Sequence, residues 1–191
     1  YKILNYNLWI KGGFSHGWLS KGEYINAPYI HEKFLYIKKT INNNNEVSLG
    51  LVHEAIWGGE TILHGNQPES FKDYLRVFFA LPASNSGTIG DQKNVIGNHL
   101  GIWDLSYSKR YLNKKINFYY QHPFEDKSGA FQYFFDELKR LRLTSKSFDG
   151  LFGIEIKNNI PNLISIFLYE YLNTTYQSGS SPQSDSSYGW D

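Results

Sequence analysis

The sequence has no cysteine and no methionine, almost no surplus of either charge, and no long apolar run. Without cysteine, neither a disulfide framework nor a thiolate zinc site can be built. With 19 Lys and Arg against 18 Asp and Glu, the formal net charge is +1. That balance lacks the basic excess needed to neutralise a phosphate backbone, so no nucleic-acid partner is expected. The best apolar run, LISIFLY (163–169), is interrupted by Ser165 and falls well short of the roughly 20 residues of a membrane helix. Spanning helices are thereby excluded. Intrinsic disorder is not expected either, because 41% of the residues are hydrophobic and 17% aromatic.

What is abundant is large aromatic side chains, 15 Tyr, 13 Phe and 5 Trp, in a chain whose mean hydropathy is only −0.46. The apolar residues are therefore interleaved with polar ones. The interleaving has a period of two, which places alternate residues of a strand on opposite faces. In EVSLGLVHEAIW (46–57), Val47, Leu49, Leu51, His53, Ala55 and Trp57 oppose Ser48, Gly50, Val52, Glu54 and Ile56. The same alternation marks KILNYNLWIK (2–11), GIWDLSYSKR (101–110), KINFYYQ (115–121) and GLFGIEIK (150–157). Segments 32–40 and 162–172 carry apolar residues on both faces and read as strands of unassigned register, giving about seven strands in all.

Connection lengths add a second pattern. Long connections at 12–30, 58–98 and 122–149 alternate with short turns at 41–45, 111–113 and 158–161. Asn42 to Asn45 and Asn158-Asn159 suit the positive φ of tight hairpins, and Gly12-Gly13, Gly58-Gly59 and Gly87 read as turn glycines. Short turns on one side and long loops on the other are expected of an antiparallel up-and-down transmembrane β-barrel. Its strands must run fully across the hydrocarbon and reverse in water. Trp9, Trp57, Trp103 and Tyr171 fit its interfacial girdles. Tyr1 falls inside an alternating stretch with no leader before it, so residues 1–191 are expected to form one incomplete barrel domain, cut from a longer chain. A soluble β-sandwich shares the period, but long loops at one end only are unusual for it.

Several stretches carry a likeness to a known family: GFSHGWLSKGEYINAPYIHEKFLYIK (13–38), LGLVHEAIWGG (49–59), FKDYLRVFFA (71–80), IGNHLGIWDLSYS (96–108), INFYYQHPFEDKSG (116–129), DGLFGIEIKN (149–158) and FLYEYLNTTYQSG (167–179). In order and over most of the chain, they resemble the Wzi-type capsule assembly family in its Bacteroidetes-like form. The resemblance implies an integral outer-membrane barrel that holds capsular polysaccharide or exopolysaccharide at the cell surface, as a lectin and not as an enzyme, with no cofactor. This chain would be a central to C-terminal-side portion. The stretch FQYFFDELKRLRL (131–143) departs from the pattern, and no ligand contacts transfer residue by residue.

The residues themselves offer weak chemistry. His31-Glu32 and His53-Glu54 lack the second histidine of a zinc-protease motif, and neighbours on a strand point to opposite faces. Glu125 and Asp126 are adjacent, whereas a glycosidase needs carboxylates facing each other across a bond. Saccharide binding asks only for aromatic faces beside amides and carboxylates. Trp18, Tyr24, Trp57, Gln121, Glu125 and Asp126 are accordingly the candidate contacts. FKDYLRVFFA (71–80) reads as a short helix or an extra strand, packing as core or plugging the barrel mouth. The competing reading is a porin-like channel with a polar lumen and no lectin role.

Overall fold

The computed structural model describes residues 2–3, 7–83, 95–125, 149–158 and 165–174. In chain order the elements are β1 (Lys2–Ile3), β2 (Leu8–Trp18), β3 (Ile25–Asn26), β4 (Tyr29–Asn42), β5 (Asn45–Trp57), β6 (Glu60–Thr61), β7 (Gly65–Asn66), α1 (Phe71–Phe78), β8 (Asn98–Tyr111), β9 (Lys114–Phe124), β10 (Gly150–Asn158) and β11 (Ile166–Asn173). Eight strands form one sheet in the order β1-β2-β4-β5-β8-β9-β10-β11, and β3-β6-β7 form a small second sheet. Every pairing is antiparallel between successive strands of the large sheet. The described residues therefore form an all-β up-and-down sheet with one short helix. Among the described residues β11 pairs only with β10, and the sheet does not close into a barrel.

Alternation fixes which side chains share a face. One cross-strand row runs Ile10, Ile37, Leu49, Leu105, Tyr120, Phe152 and Tyr171. The next, towards the short turns, runs Leu8, Lys39, Val47, Tyr107, Phe118, Ile154 and Tyr169. On the opposite face the corresponding rows are Lys11, Tyr36, Gly50, Asp104, Gln121, Leu151 and Leu172, then Trp9, Lys38, Ser48, Ser106, Tyr119, Gly153 and Glu170. One face is thus an apolar band and the other mostly polar, turning apolar at Ile102 and Leu100 towards the long connections.

Four expectations change. KILNYNLWIK is not one strand, because Lys2 pairs with Trp9 and Ile3 with Leu8, so the chain reverses between them near Asn7, whose φ is +50°. Gly12 and Gly13 are not turn residues; they lie inside β2 opposite Leu35 and Phe34, and the Phe34 ring occupies the space above Gly13. The first long connection therefore shortens to 19–28. The turn between β4 and β5 also closes differently, since neither Asn43 nor Asn44 has a positive φ. Instead Asn42 Oδ1 accepts from Asn44 N at 3.0 Å and Asn45 Nδ2 at 2.8 Å, beside a bulge at Thr40/Asn42. Finally, Trp57 is packed inside rather than interfacial, and Trp9 sits on the polar face. Gly87 and residues 131–143 lie outside the described residues.

Gly58 and Gly59 do turn the chain, with φ of +66° and +78°. A side chain at Gly59 would stand 2.5 Å from the Asn26 carbonyl, so the approach of β3 to β6 requires glycine there.

Candidate functional site

The long connection between β5 and β8 folds back on the sheet through α1. Its N-terminus is closed by a capping box: Asp73 N donates to Ser70 Oγ at 3.2 Å, and Ser70 N donates to Asp73 Oδ2 at 3.1 Å. Tyr74, Val77 and Phe78 face the sheet, at the spacing of one helical face. Val77 is fully buried and shares a core with Ala55, Trp57, Ala83 and Ile96. Leu75 and Phe79, to one side of that face, are 41% and 64% exposed.

Beneath α1 the register gathers histidines that lie far apart in sequence. His16 pairs with His31 across β2 and β4, and His99 reaches the same row through Ala55. His53 stands one row nearer the short turns, directly opposite Lys33. The Tyr74 ring meets His16 at 5.1 Å and His31 at 5.6 Å, both edge-on, while Phe78 meets His31 at 5.2 Å. Lys33 places its ammonium 4.3 Å from the centre of the Phe78 ring. A second contact series fixes proton positions. His99 Nε2 lies 2.8 Å from the Ile96 carbonyl, which can only accept, so that nitrogen carries the hydrogen. With both rings neutral, His99 Nδ1 then accepts from His53 Nε2 at 2.8 Å.

This cluster was not legible from the two His-Glu pairs. Glu32 and Glu54 project from the other face, opposite each other, so the acids do not join the imidazoles. No group of three or more His, Cys, Asp or Glu suited to a metal occurs among the described residues.

Of the five candidate contacts among the described residues, Trp18 and Trp57 share one row, while Gln121 lies on the opposite face of the sheet. Trp18, Tyr29 and Trp57 form one cross-strand row at the end of the sheet, with Tyr29 5.0 Å from Trp57 and 6.4 Å from Trp18. Trp18 is 73% exposed, whereas Trp57 is 4% exposed and presents no ring face outward. Tyr24 is 77% exposed in the 19–28 connection. Gln121 points to the polar face, where its Nε2 lies 3.5 Å from Asp104 Oδ2. Glu125 is exposed just past β9, and Asp126 lies outside the described residues.

The polar face holds its own ordered contacts. The Tyr36 hydroxyl donates to Asp104 Oδ2 at 3.3 Å across Gly50, and the Tyr119 hydroxyl donates to Glu170 across Gly153. Ser108 bonds Asn117 at 2.8 Å, and Lys157 pairs with Glu155 at 3.0 Å.

The site therefore has two parts: a ring-rich, helix-capped end on the apolar face, and a laced polar surface behind it. Comparison with known proteins gives one family: the model described as "Capsule assembly protein Wzi" matches residues 10–189. No curated protein and no solved structure matches the chain. With nearly its whole length matched in this way, the chain belongs to the Wzi capsule assembly family.

Proposed function

We propose that the chain forms part of an outer-membrane β-barrel that retains exported polysaccharide at the cell surface through the loops at its α1 end. The observation that carries this reading is the two-faced sheet. A row of apolar residues crosses seven successive strands on one face, and Ile37, Leu49 and Tyr171 in it are 37%, 41% and 57% exposed. Such a band suits lipid, while the Lys38, Asp104, Ser106 and Glu170 face suits a wet lumen. Strands β4 and β8 are 14 residues long, more than the roughly 9–11 that cross a bilayer. Their α1 ends therefore project beyond the hydrocarbon, towards the polymer. Because α1 sits on the same face as the band, it lies against the outer wall and does not plug the mouth.

The contacts proposed for saccharide are Trp18 and Tyr24, whose exposed rings can stack on C–H surfaces, with Glu125 and Asp126 accepting from hydroxyls. Gln121 is proposed to line the lumen, and Trp57 to support Tyr29 from beneath. Capsule retention tests this. Cells carrying the full-length protein are compared with cells whose protein lacks the loops at 58–98 and 122–148, after heat-modifiable gel migration confirms a folded barrel. Loss of retained polymer from the deletion strains is expected; equal retention removes the loop-binding role.

A porin-like channel is the second reading, favoured by the charged polar face alone. Planar-bilayer recording separates the two, since a channel gives steady open conductance and a retention protein with an occluded lumen does not.

A further inference from the structure

The outward side of α1 has no function in the account above. Phe71, Leu75 and Phe79 follow at intervals of four, so they form one stripe, and they are 74%, 41% and 64% exposed. A helix facing water carries polar residues there. The single acid of α1, Asp73, is buried in the capping box and paired with Arg76 at 3.3 Å. Lys72 lies in the outer turn of the same helix, so the outer surface is apolar and cationic with no carboxylate.

The surroundings continue that surface. Phe14, on the same sheet face and in the row of Lys33 and His53, is 70% exposed. Below it Leu35 is 47% exposed, and beyond Leu35 come Ile37 and Leu49 of the apolar band. Exposed apolar side chains thus occur on the outward side of α1, at Phe14 and Leu35 and in the band, all on one face of the sheet, with Lys33 in the row of Phe14 and Lys72 on α1 itself. Aliphatic stems buried beneath terminal ammonium groups, over inserted rings, are the make-up of a helix lying in a lipid interface.

We propose that α1 is an interfacial membrane helix, which lays Phe71, Leu75 and Phe79 among the lipid of the outer leaflet and sets Lys72 at the level of its anionic headgroups. The inference rests on the barrel reading, because it needs the apolar face to meet lipid. It goes beyond that reading in making a loop element, and not only the strands, part of the membrane contact. It also fixes the depth at which the projecting strand ends stand.

The test uses single-cysteine variants of the full-length protein, nitroxide-labelled and reconstituted in nanodiscs containing an anionic lipid. Leu75→Cys and Phe71→Cys report on α1, Leu49→Cys on the band, and Leu112→Cys, at an exposed turn position, on water. Labels at Leu75 and Phe71 are expected to show an oxygen-to-nickel-chelate accessibility ratio several-fold above that at Leu112, approaching that at Leu49. A ratio at both α1 positions equal to that at Leu112, with Leu49 still in lipid, overturns the inference and leaves the barrel intact. A water-like ratio at Leu49 as well overturns the barrel reading itself. Dipolar broadening between labels on α1 shows instead that a second copy covers the stripe, which also overturns it. Phe71→Cys decides the matter if Leu75→Cys does not fold, since one turn of helix separates them on the same stripe.

Discussion

Tyr119 and Glu170 meet across a strand that lies between them. Tyr119 is on β9 and Glu170 on β11, and the residue paired with both is Gly153 of β10. With no side chain at Gly153, the Tyr119 ring fills the space above its backbone and the hydroxyl reaches the carboxylate two strands away. Tyr36, Gly50 and Asp104 repeat the arrangement across β4, β5 and β8. Each trio pins the register of three strands, because a slip of one residue sends the glycine and the acid to the other face.

Replacing either glycine should therefore be costly. A Cβ at Gly153 would stand 2.0 Å from Tyr119 Cζ, and one at Gly50 2.3 Å from Tyr36 Cε1. Gly153→Ala and Gly50→Ala are each expected to destabilise the folded sheet by about 1–3 kcal/mol, as overpacking does. Urea unfolding in detergent micelles measures it. Combining Gly153→Ala with Tyr119→Ala should recover part of the loss; strict additivity would mean that ring and glycine are not coupled.

Tyr36→Phe keeps the ring over Gly50 and removes only the hydroxyl. The expected change is about 0.5–1.5 kcal/mol, the net value of one hydrogen bond. Tyr36→Ala, which also uncovers Gly50, should cost clearly more in the same unfolding measurement. Equal losses would assign the stabilisation to the hydroxyl alone.

His99→Leu should loosen the helix-capped end. It leaves both the His53 Nε2 donor and the Ile96 carbonyl without this partner in a buried setting, at about 1–3 kcal/mol for each group so stranded. Limited proteolysis of the connection between β5 and β8 should accelerate, while strand content by circular dichroism stays unchanged. His16→Ala, at an exposed position, should have a smaller effect.

Trp18→Ala and Trp57→Ala should fail in different ways. Trp18 is exposed and Trp57 is in the core with Val77 and Ile96. Trp18→Ala is expected to lower retained capsule several-fold at normal folding yield. Trp57→Ala is expected to cost about 3–5 kcal/mol, the usual penalty for emptying a buried aromatic site, and to lower the yield of folded protein. Normal retention by folded Trp18→Ala protein would remove that indole from the proposed saccharide contacts.

Strand alternation was readable wherever one face is uniform, as in residues 46–57, whose two faces came out as the pattern required. It misled where polar residues kept the period through a reversal: Asn5 and Asn7 continue the alternation of 2–11, yet β1 turns back onto β2. Gly12 and Gly13 misled for the opposite reason. Glycine usually breaks a strand, and here it makes room for rings from the neighbouring one. The histidine cluster had no local signal at all. Residues 16, 31, 53 and 99 come together only through the registers of β2, β4, β5 and β8, and register is a property of pairs of segments. Among the candidate contacts, the aromatic character of Trp18 and Trp57 was evident, but which of them is covered depends on where α1 docks.

The connection between β5 and β8 leaves and re-enters the sheet under close control. At its exit Gly59 N donates to Glu69 Oε1 at 2.9 Å and Gln67 N to the Gly59 carbonyl at 2.8 Å. At its return Ile96 N donates to the Leu81 carbonyl at 3.2 Å, while the Ile96 carbonyl accepts from His99. The described parts of this connection, 58–83 and 95–97, held at both roots and glued down along α1, form a rigid bracket. For the polymer retention proposed above, such a bracket would have little conformational freedom left to lose on contact, so a weakly attracted, repetitive chain would be held by many shallow encounters at once.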